Sequence, residues 1–391
     1  MPQTQSGLEQ LIAEPLPWLA GQRLGLLCNP ASIDPFYRHT KDLIQNRFPG
    51  QLTALFSPQH GFYSEKQDNM IESDDRSDPE TGLPVYSLYG TTRVPTAAMF
   101  ERIDTLLIDL QDVGTRVYTF ATTLSYCMEV AKELNKRVVV LDRPNPVNGR
   151  QLEGNCLSET FISFVGRYPI PMRHGLTLGE YARYINDRYD IGCRLEVIPM
   201  KGWHRDMYFS DTGLPWVPPS PNLPTPQAAI VYPGQVILEG TNISEGRGTT
   251  TPFEVFGAPF IDPHKILSFM GGPHLAGAVL RPVAFEPMFH KWQNQTCYGF
   301  HIHITRPDAY NAYQTTLKLI QAIIYHYPGD FQWRQPPYEY EWERLPIDLI
   351  IGDDNIRQQI EQLKPVETIA SGWLVDLKTF QDERKPYLLY E

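Results

Sequence analysis

Four short polar clusters follow apolar runs in the first 150 residues. They are Asn29-Pro30, then Ser57-Pro58-Gln59-His60-Gly61, then Gln111-Asp112 with Arg116 and Tyr118 just beyond, then Asp142-Arg143-Pro144-Asn145-Pro146. Any one of them reads as a turn, because Asn, Asp, Pro and Gly supply the backbone geometries that turns need. Four together, carrying a histidine, carboxyl groups and two arginines, suit a site: imidazole and carboxyl groups move protons, and arginine grips carboxylates bidentately. A fifth stretch, EGTNISEGRGTTTPFE, sets Glu239, Asn242, Glu245, Arg247 and Glu254 among glycines and threonines. Its flanks, VYPGQVILEG and PFEVFGAPF, are apolar, which predicts a loop clamped into the body. Glu245 and Arg247, two apart in a bend, are placed to pair and so to tune a carboxyl group.

Other chemistries find less support. No GxGxxG follows the first apolar run and GxxxxGK[ST] is absent, so neither a dinucleotide nor a nucleotide phosphate has its usual cradle. GxSxG is absent, which removes the common serine-hydrolase elbow. His301 and His303 alternate along an apolar segment and point to one face, but a third metal ligand is not evident. His174, in RHGLTLGE, suits either a substrate contact or a residue that only starts a helix. Trp203 and Trp216 suit stacking on a sugar face or ordinary packing. We therefore expect no cofactor and no metal.

The elements that must position these residues alternate in type. RLGLLCNP (23–30), LTALFSP (52–58), TLLIDLQD (105–112) and RVVVLDRPNP (137–146) read as buried parallel strands. Between the last two, residues 119–135 repeat apolar side chains at spacings of three and four, which predicts an amphipathic helix. The expected fold is α/β: a Rossmann-like doubly wound parallel sheet, with its site at the carboxyl ends of the strands. Further on, 176–190 reads as a helix and 194–200 as a strand, followed by a long proline-rich loop through GLPWVPPSPNLPTP. Strands at 278–287 and 297–305 and a helix at 309–327 suggest a smaller α+β C-terminal domain. The division is expected near residue 160, giving domains 1–160 and 161–391 with a cleft between them.

The length of 391 residues favours two domains over one core. A net charge of −11 disfavours nucleic acid and anionic membrane surfaces as partners. No stretch is long and apolar enough to span a bilayer, and the N-terminus does not read as a secretory signal. Cys28, Cys127, Cys156, Cys193 and Cys297 are odd in number and widely spaced, which suits free thiols in a reducing compartment. A cytoplasmic protein is expected; its oligomeric state is left open.

The runs FSPQHGF, TGLPVYSLYG, DLQDVGTRVYT, LDRPNPVNG, PMRHGLTLGE, GLPWVPPSPN and EGTNISEGRGTTTPFE together resemble the NamZ-type exo-β-N-acetylmuramidases, in matching order from about Gly7 to the closing YLLY. The resemblance implies a Rossmann-like N-terminal domain, a smaller C-terminal domain and removal of N-acetylmuramic acid from the non-reducing end of peptidoglycan fragments. The substrate would be a muramic-acid disaccharide or a muropeptide. Two departures stand out. The family reads SPEHG where this chain has SPQHG, so Gln59 occupies the place of a carboxylic acid suspected of catalysis. The glycine-rich segment that usually follows is replaced by YSEKQDNM.

An amide cannot donate a proton to a leaving oxygen, and most glycosidases need two carboxyl groups. Either Glu65, Asp112 or Glu245 supplies the acid, or this member is an inactive sugar-binding protein or a hydrolase of another acidic amino sugar. Gln59, His60, Arg116, Tyr118, Arg143, Asn145, His174, Asn242 and Arg247 are the expected substrate contacts, with Arg116, Arg143 or Arg247 holding the lactyl carboxylate. His60, Asp112, Arg143, Asn145 and Arg247 are expected to meet at one cavity.

Overall fold

The computed structural model describes residues 4–67 and 70–391. Asp68 and Asn69, in the middle of YSEKQDNM, and the first three residues of the N-terminal segment lie outside the described residues. Among the described residues, thirteen strands form three sheets. Seven belong to the first: β1 (Leu24–Cys28), β2 (Leu52–Ser57), β3 (Arg76–Ser77), β4 (Pro84–Ser87), β5 (Thr105–Asp109), β6 (Arg137–Leu141) and, later in the chain, β9 (Arg194–Ile198). Between these come β7 (Glu153–Cys156) and β8 (Pro171–Arg173), which pair as a ribbon. The order across the large sheet is β3-β4-β2-β1-β5-β6-β9. All of its pairings are parallel except that of the short edge strand β3 with β4.

Both faces of this sheet are covered, and the side-chain alternation shows how. Leu24, Leu26, Cys28, Leu107, Val139 and Leu141 point into one apolar cluster with Leu8, Leu11 and Ile44 of the N-terminal helices. Leu27, Ile108, Val138 and Val140 point the other way, into a larger cluster that also takes in Leu280, Phe300 and Ile320 of the C-terminal half. A period of two sends neighbouring residues to opposite faces, so each strand needs an unbroken apolar run. This cluster runs through both halves of the chain. β9 lies beyond residue 160, so the parallel sheet extends past the boundary expected there.

The amphipathic segment forms the helix Phe120–Glu133. LTLGE begins the helix Leu178–Arg188 through a reciprocal cap, in which the Thr177 hydroxyl accepts from Glu180 N and the Glu180 carboxylate accepts from Thr177 N. In the C-terminal half, β10 (Val255–Ala258), β11 (His274–Leu275), β12 (Ala278–Phe285) and β13 (Cys297–Ile304) make an antiparallel sheet, order β10-β13-β12-β11. The helices Pro226–Gln235 and Ala312–His326 pack on each other beside it.

Candidate active site

The carboxyl ends of β2 and β5 open onto a small cavity, about 30 Å3 in this closed arrangement of side chains. Gln59, His60, Tyr118 and Thr119 line it from the strand ends, Val165 and the proline-rich loop residues Ser220 and Asn222 from the middle of the chain. Tyr232, Glu239, Arg247, Phe253, Tyr338 and Glu339 close it from the C-terminal half. The proline-rich loop is fastened over the strand ends, because Asn29 Nδ2 donates to Pro219 O at 2.8 Å and Asn222 Nδ2 to Gln67 O at 2.7 Å.

Of the five residues expected to meet, His60 and Arg247 line this cavity. His60 sits in the left-handed region, φ 77°, with Nδ1 donating to Lys66 O at 2.7 Å. Arg143 turns elsewhere. Its guanidinium is held by Asp109 (2.5 and 2.8 Å) and Ile33 O (2.9 Å), beside a second, smaller cavity under Trp216 and Phe209. Asn145 is spent on backbone, donating to Leu176 O at 2.9 Å and accepting from Val147 N at 3.1 Å. Both terminal nitrogens of Arg116 donate to backbone, to the carbonyls of Asn155, Ile170, Ile350 and Ile351, so it pins three segments together. His174 starts the helix that follows it: Nδ1 accepts from Leu176 N at 3.2 Å, and burial pushes its pKa down to about 3, so the ring is neutral. Asn242 splices the glycine-rich stretch to residues 330–332 by donating to Asp330 O and accepting from Gln332 N. Trp203 is buried against Tyr390, in the packing role.

The three carboxyl groups expected to act as acid fare differently. Glu65 is on the surface, 38% exposed, paired with Arg76 at 3.2 Å. Glu245 is buried, and burial alone would raise its pKa. Lys291 (2.8 Å), His290 (3.3 Å) and Arg247 (3.1 Å) outweigh that and hold the carboxyl down to about 2. A group so firmly ionised has no proton to give. Asp112 is buried and pushed up to about 7 by that burial. Its Oδ1 accepts from Gly114 N at 2.7 Å, and its Oδ2 has no hydrogen-bond partner among the described residues. It does not line the cavity; Tyr118, whose own pKa its charge helps to raise, does.

Two carboxyl groups do line the cavity. Glu239 is paired with Arg247 at 2.7 Å and accepts from the Tyr338 hydroxyl at 2.8 Å. Glu339 accepts from the Tyr89 hydroxyl at 2.6 Å through Oε2 and from the Gln59 amide at 3.2 Å through Oε1. Burial, helped by the negative Glu239, pushes Glu339 up to about 7. One carboxylate beside an arginine and one carboxylic acid that keeps its proton near neutral pH is the division of labour glycoside hydrolysis needs.

Sequence reasoning missed Glu339. It sits in PPYEYEWER, where an alternation of Tyr and Glu carries no catalytic signature. Tyr338 and Glu341 exchange both backbone hydrogen bonds (3.0 and 2.9 Å), and between them Glu339 and Tyr340 have φ of 45° and 67°. That is a two-residue turn with both central residues left-handed, a place normally taken by Asn-Gly. The Arg93 guanidinium lies 3.3 Å over the Tyr340 ring and 4.9 Å from that of Tyr89, buttressing the turn.

The histidine pair on β13 is not assembled as a metal site. Arg281 donates to His303 Nε2 at 2.9 Å and lies 3.2 Å from His301 Nδ1, while His301 Nε2 is 3.6 Å from Glu254. Among the described residues, no group of three or more His, Cys, Asp or Glu side chains stands together as a metal site would require. No helix among them is long and apolar enough to cross a membrane.

Comparison with known proteins agrees with this architecture. Residues 24–227 match the model of the N-terminal region of the exo-β-N-acetylmuramidase NamZ, and residues 230–390 match that of its C-terminal region. The peptidoglycan β-N-acetylmuramidase NamZ of Bacillus subtilis (strain 168) is 42% identical over 389 residues, 100% of this chain and 92% of the relative. A solved DUF1343 family protein of Bacteroides fragilis NCTC 9343 superposes with a TM-score of 0.89 at 33% identity over 100% of both chains. A second from the same organism has a TM-score of 0.75 at 31% identity over 99% of both. With both family models filling the chain and a relative of this identity running its whole length, the chain belongs to the NamZ exo-β-N-acetylmuramidase family.

Proposed function

We propose that this protein hydrolyses the terminal β-glycosidic bond of peptidoglycan fragments and releases N-acetylmuramic acid from their non-reducing end. The observation that carries the reading is the pair Glu239 and Glu339, facing one cavity in the position where an open α/β sheet binds its ligands. The lactyl carboxylate of the sugar would be met by Arg247, which alone of Arg116, Arg143 and Arg247 lines that cavity. Tyr118, Tyr232 and Phe253 give the sugar ring an apolar wall. A cytoplasmic setting, in which wall fragments are recovered rather than shed, suits the five free thiols.

A sugar-binding protein that had lost catalysis would not need two carboxyl groups at one cavity wall, and Glu239 and Glu339 both stand there. The test is turnover of an aryl β-N-acetylmuramide and of the corresponding β-N-acetylglucosaminide. Release of the aryl alcohol from the muramide, with the glucosaminide much slower, is the expected result. Tight binding of the muramide without turnover would establish the inactive sugar-binding protein instead.

A further inference from the structure

We propose that Glu339 is the proton donor of this chain, and that Gln59, where the family resemblance implies a carboxylic acid, is a positioning residue for it. The proposal rests on the glycosidase reading above.

Three features of the geometry carry it. The first is the chain of hydrogen bonds. The Thr119 hydroxyl donates to Gln59 Oε1 at 2.5 Å, and Gln59 Nε2 donates to Glu339 Oε1 at 3.2 Å. Thr119 is the residue before the helix Phe120–Glu133, where a hydroxyl ordinarily caps the first turn, and it makes no such cap bond. Its hydroxyl fixes the amide instead, so that Gln59 presents its NH2 side and not its oxygen to the carboxyl group. The second is Tyr89. It is fully buried, and its hydroxyl bonds the other carboxyl oxygen at 2.6 Å. Glu339 is thus gripped at both oxygens by neutral groups, which orient a carboxyl without forcing it to ionise. The third is the turn. Glu and Tyr at two consecutive left-handed positions cost backbone energy that Asn-Gly would not, and such strain persists where the surroundings hold a side chain for use. Here Arg93 over Tyr340 supplies the hold.

The step balances as follows. The Glu339 proton passes to the bridging oxygen as the bond between that oxygen and C1 breaks, its electron pair staying on the oxygen, and the leaving sugar departs as an alcohol. Positive charge developing at C1 is opposed by the Glu239 carboxylate. Water adds at C1, and the proton it releases restores the Glu339 carboxyl group.

A general acid matters only when the leaving group needs a proton, which separates this role from a structural one. The full-length protein and its Glu339→Gln variant are to be compared on the N-acetylmuramyl-N-acetylglucosamine disaccharide and on 4-nitrophenyl β-N-acetylmuramide. Glu339→Gln should lose about 10²–10⁴-fold in kcat on the disaccharide and far less on the nitrophenyl glycoside. Tyr89→Phe, which removes a bond that favours the ionised carboxyl, should move the basic limb of the disaccharide pH profile upward. Equal losses on both substrates, or an unmoved limb in Tyr89→Phe, would overturn the assignment of Glu339 while leaving the glycosidase reading intact. A wild type inactive on both substrates would overturn the two together.

Discussion

Position 59 decides how the chemistry is distributed among residues. Its amide donates to Glu339 and accepts from Thr119, so a carboxyl group placed there loses the donor and gains a like charge beside Glu339. Two carboxyl groups at that separation share one proton, and the second ionisation is pushed up. We expect Gln59→Glu to move the basic limb of the pH–rate profile upward, with the pair titrating in two steps where wild type shows one. An unchanged profile would mean that the two side chains do not communicate. The SPQHG motif was legible as a polar cluster at a strand end, and Gln59 and His60 line the cavity. The proposed donor was not legible, because Glu339 lies 280 residues further along the chain. Its role depends on a left-handed turn that Glu and Tyr do not advertise.

Among the elements, the stretch from Glu239 to Glu254 behaves as its apolar flanks predicted: Glu239, Ser244, Glu245 and Arg247 are all buried. The expectation that Glu245 and Arg247 pair is met at 3.1 Å, but the consequence differs from a tuned acid. Lys291, from a distant loop, donates to Glu245, Leu238 O and Ile243 O, and so ties both ends of the bend. Sequence could pair Glu245 with its neighbour; it could not supply a lysine 46 residues away. Removing one partner of a buried charge cluster typically costs about 3–5 kcal/mol. Lys291→Met should therefore lower the thermal midpoint by many degrees and loosen Arg247, raising KM for the muramide more than it lowers kcat. A midpoint within a degree of wild type would show that the lysine is not part of the clamp.

For the whole molecule, the parallel sheet was the most legible feature, because four strands buried on both faces need unbroken apolar runs. β4, with half-buried residues at Pro84 and Tyr86, lacked such a run and was not foreseen. β9, after the boundary expected near 160, completes the sheet, and the apolar cluster runs through both halves. That continuity makes stability a property of the entire chain, and its pH dependence has a worked sign. Asp112, Asp142 and Glu339 are each pushed up to about 7 by burial, so the folded state holds protons that the unfolded state releases. Their stabilisation is complete below the unfolded carboxyl pKa and is lost as pH rises through about 7. His174, pushed down to about 3, works in the opposite direction up to its unfolded pKa, one group against three. The urea midpoint should therefore fall between pH 5 and 7.5. In Glu339→Gln the accompanying fall in unfolding free energy should be smaller, by up to about 3 kcal/mol at one pKa unit per 1.4 kcal/mol. A midpoint that rises through this window would contradict the burial of these protons.

The most direct test of the account is the crystal structure of the Glu339→Gln variant with the intact muramyl disaccharide bound. The account predicts the bridging oxygen within hydrogen-bond reach of the side chain at position 339, about 3 Å, with the lactyl carboxylate on Arg247 and Glu239 beside C1. A sugar seated elsewhere, or one whose bridging oxygen faces Gln59 or Asp112 in place of position 339, would contradict it.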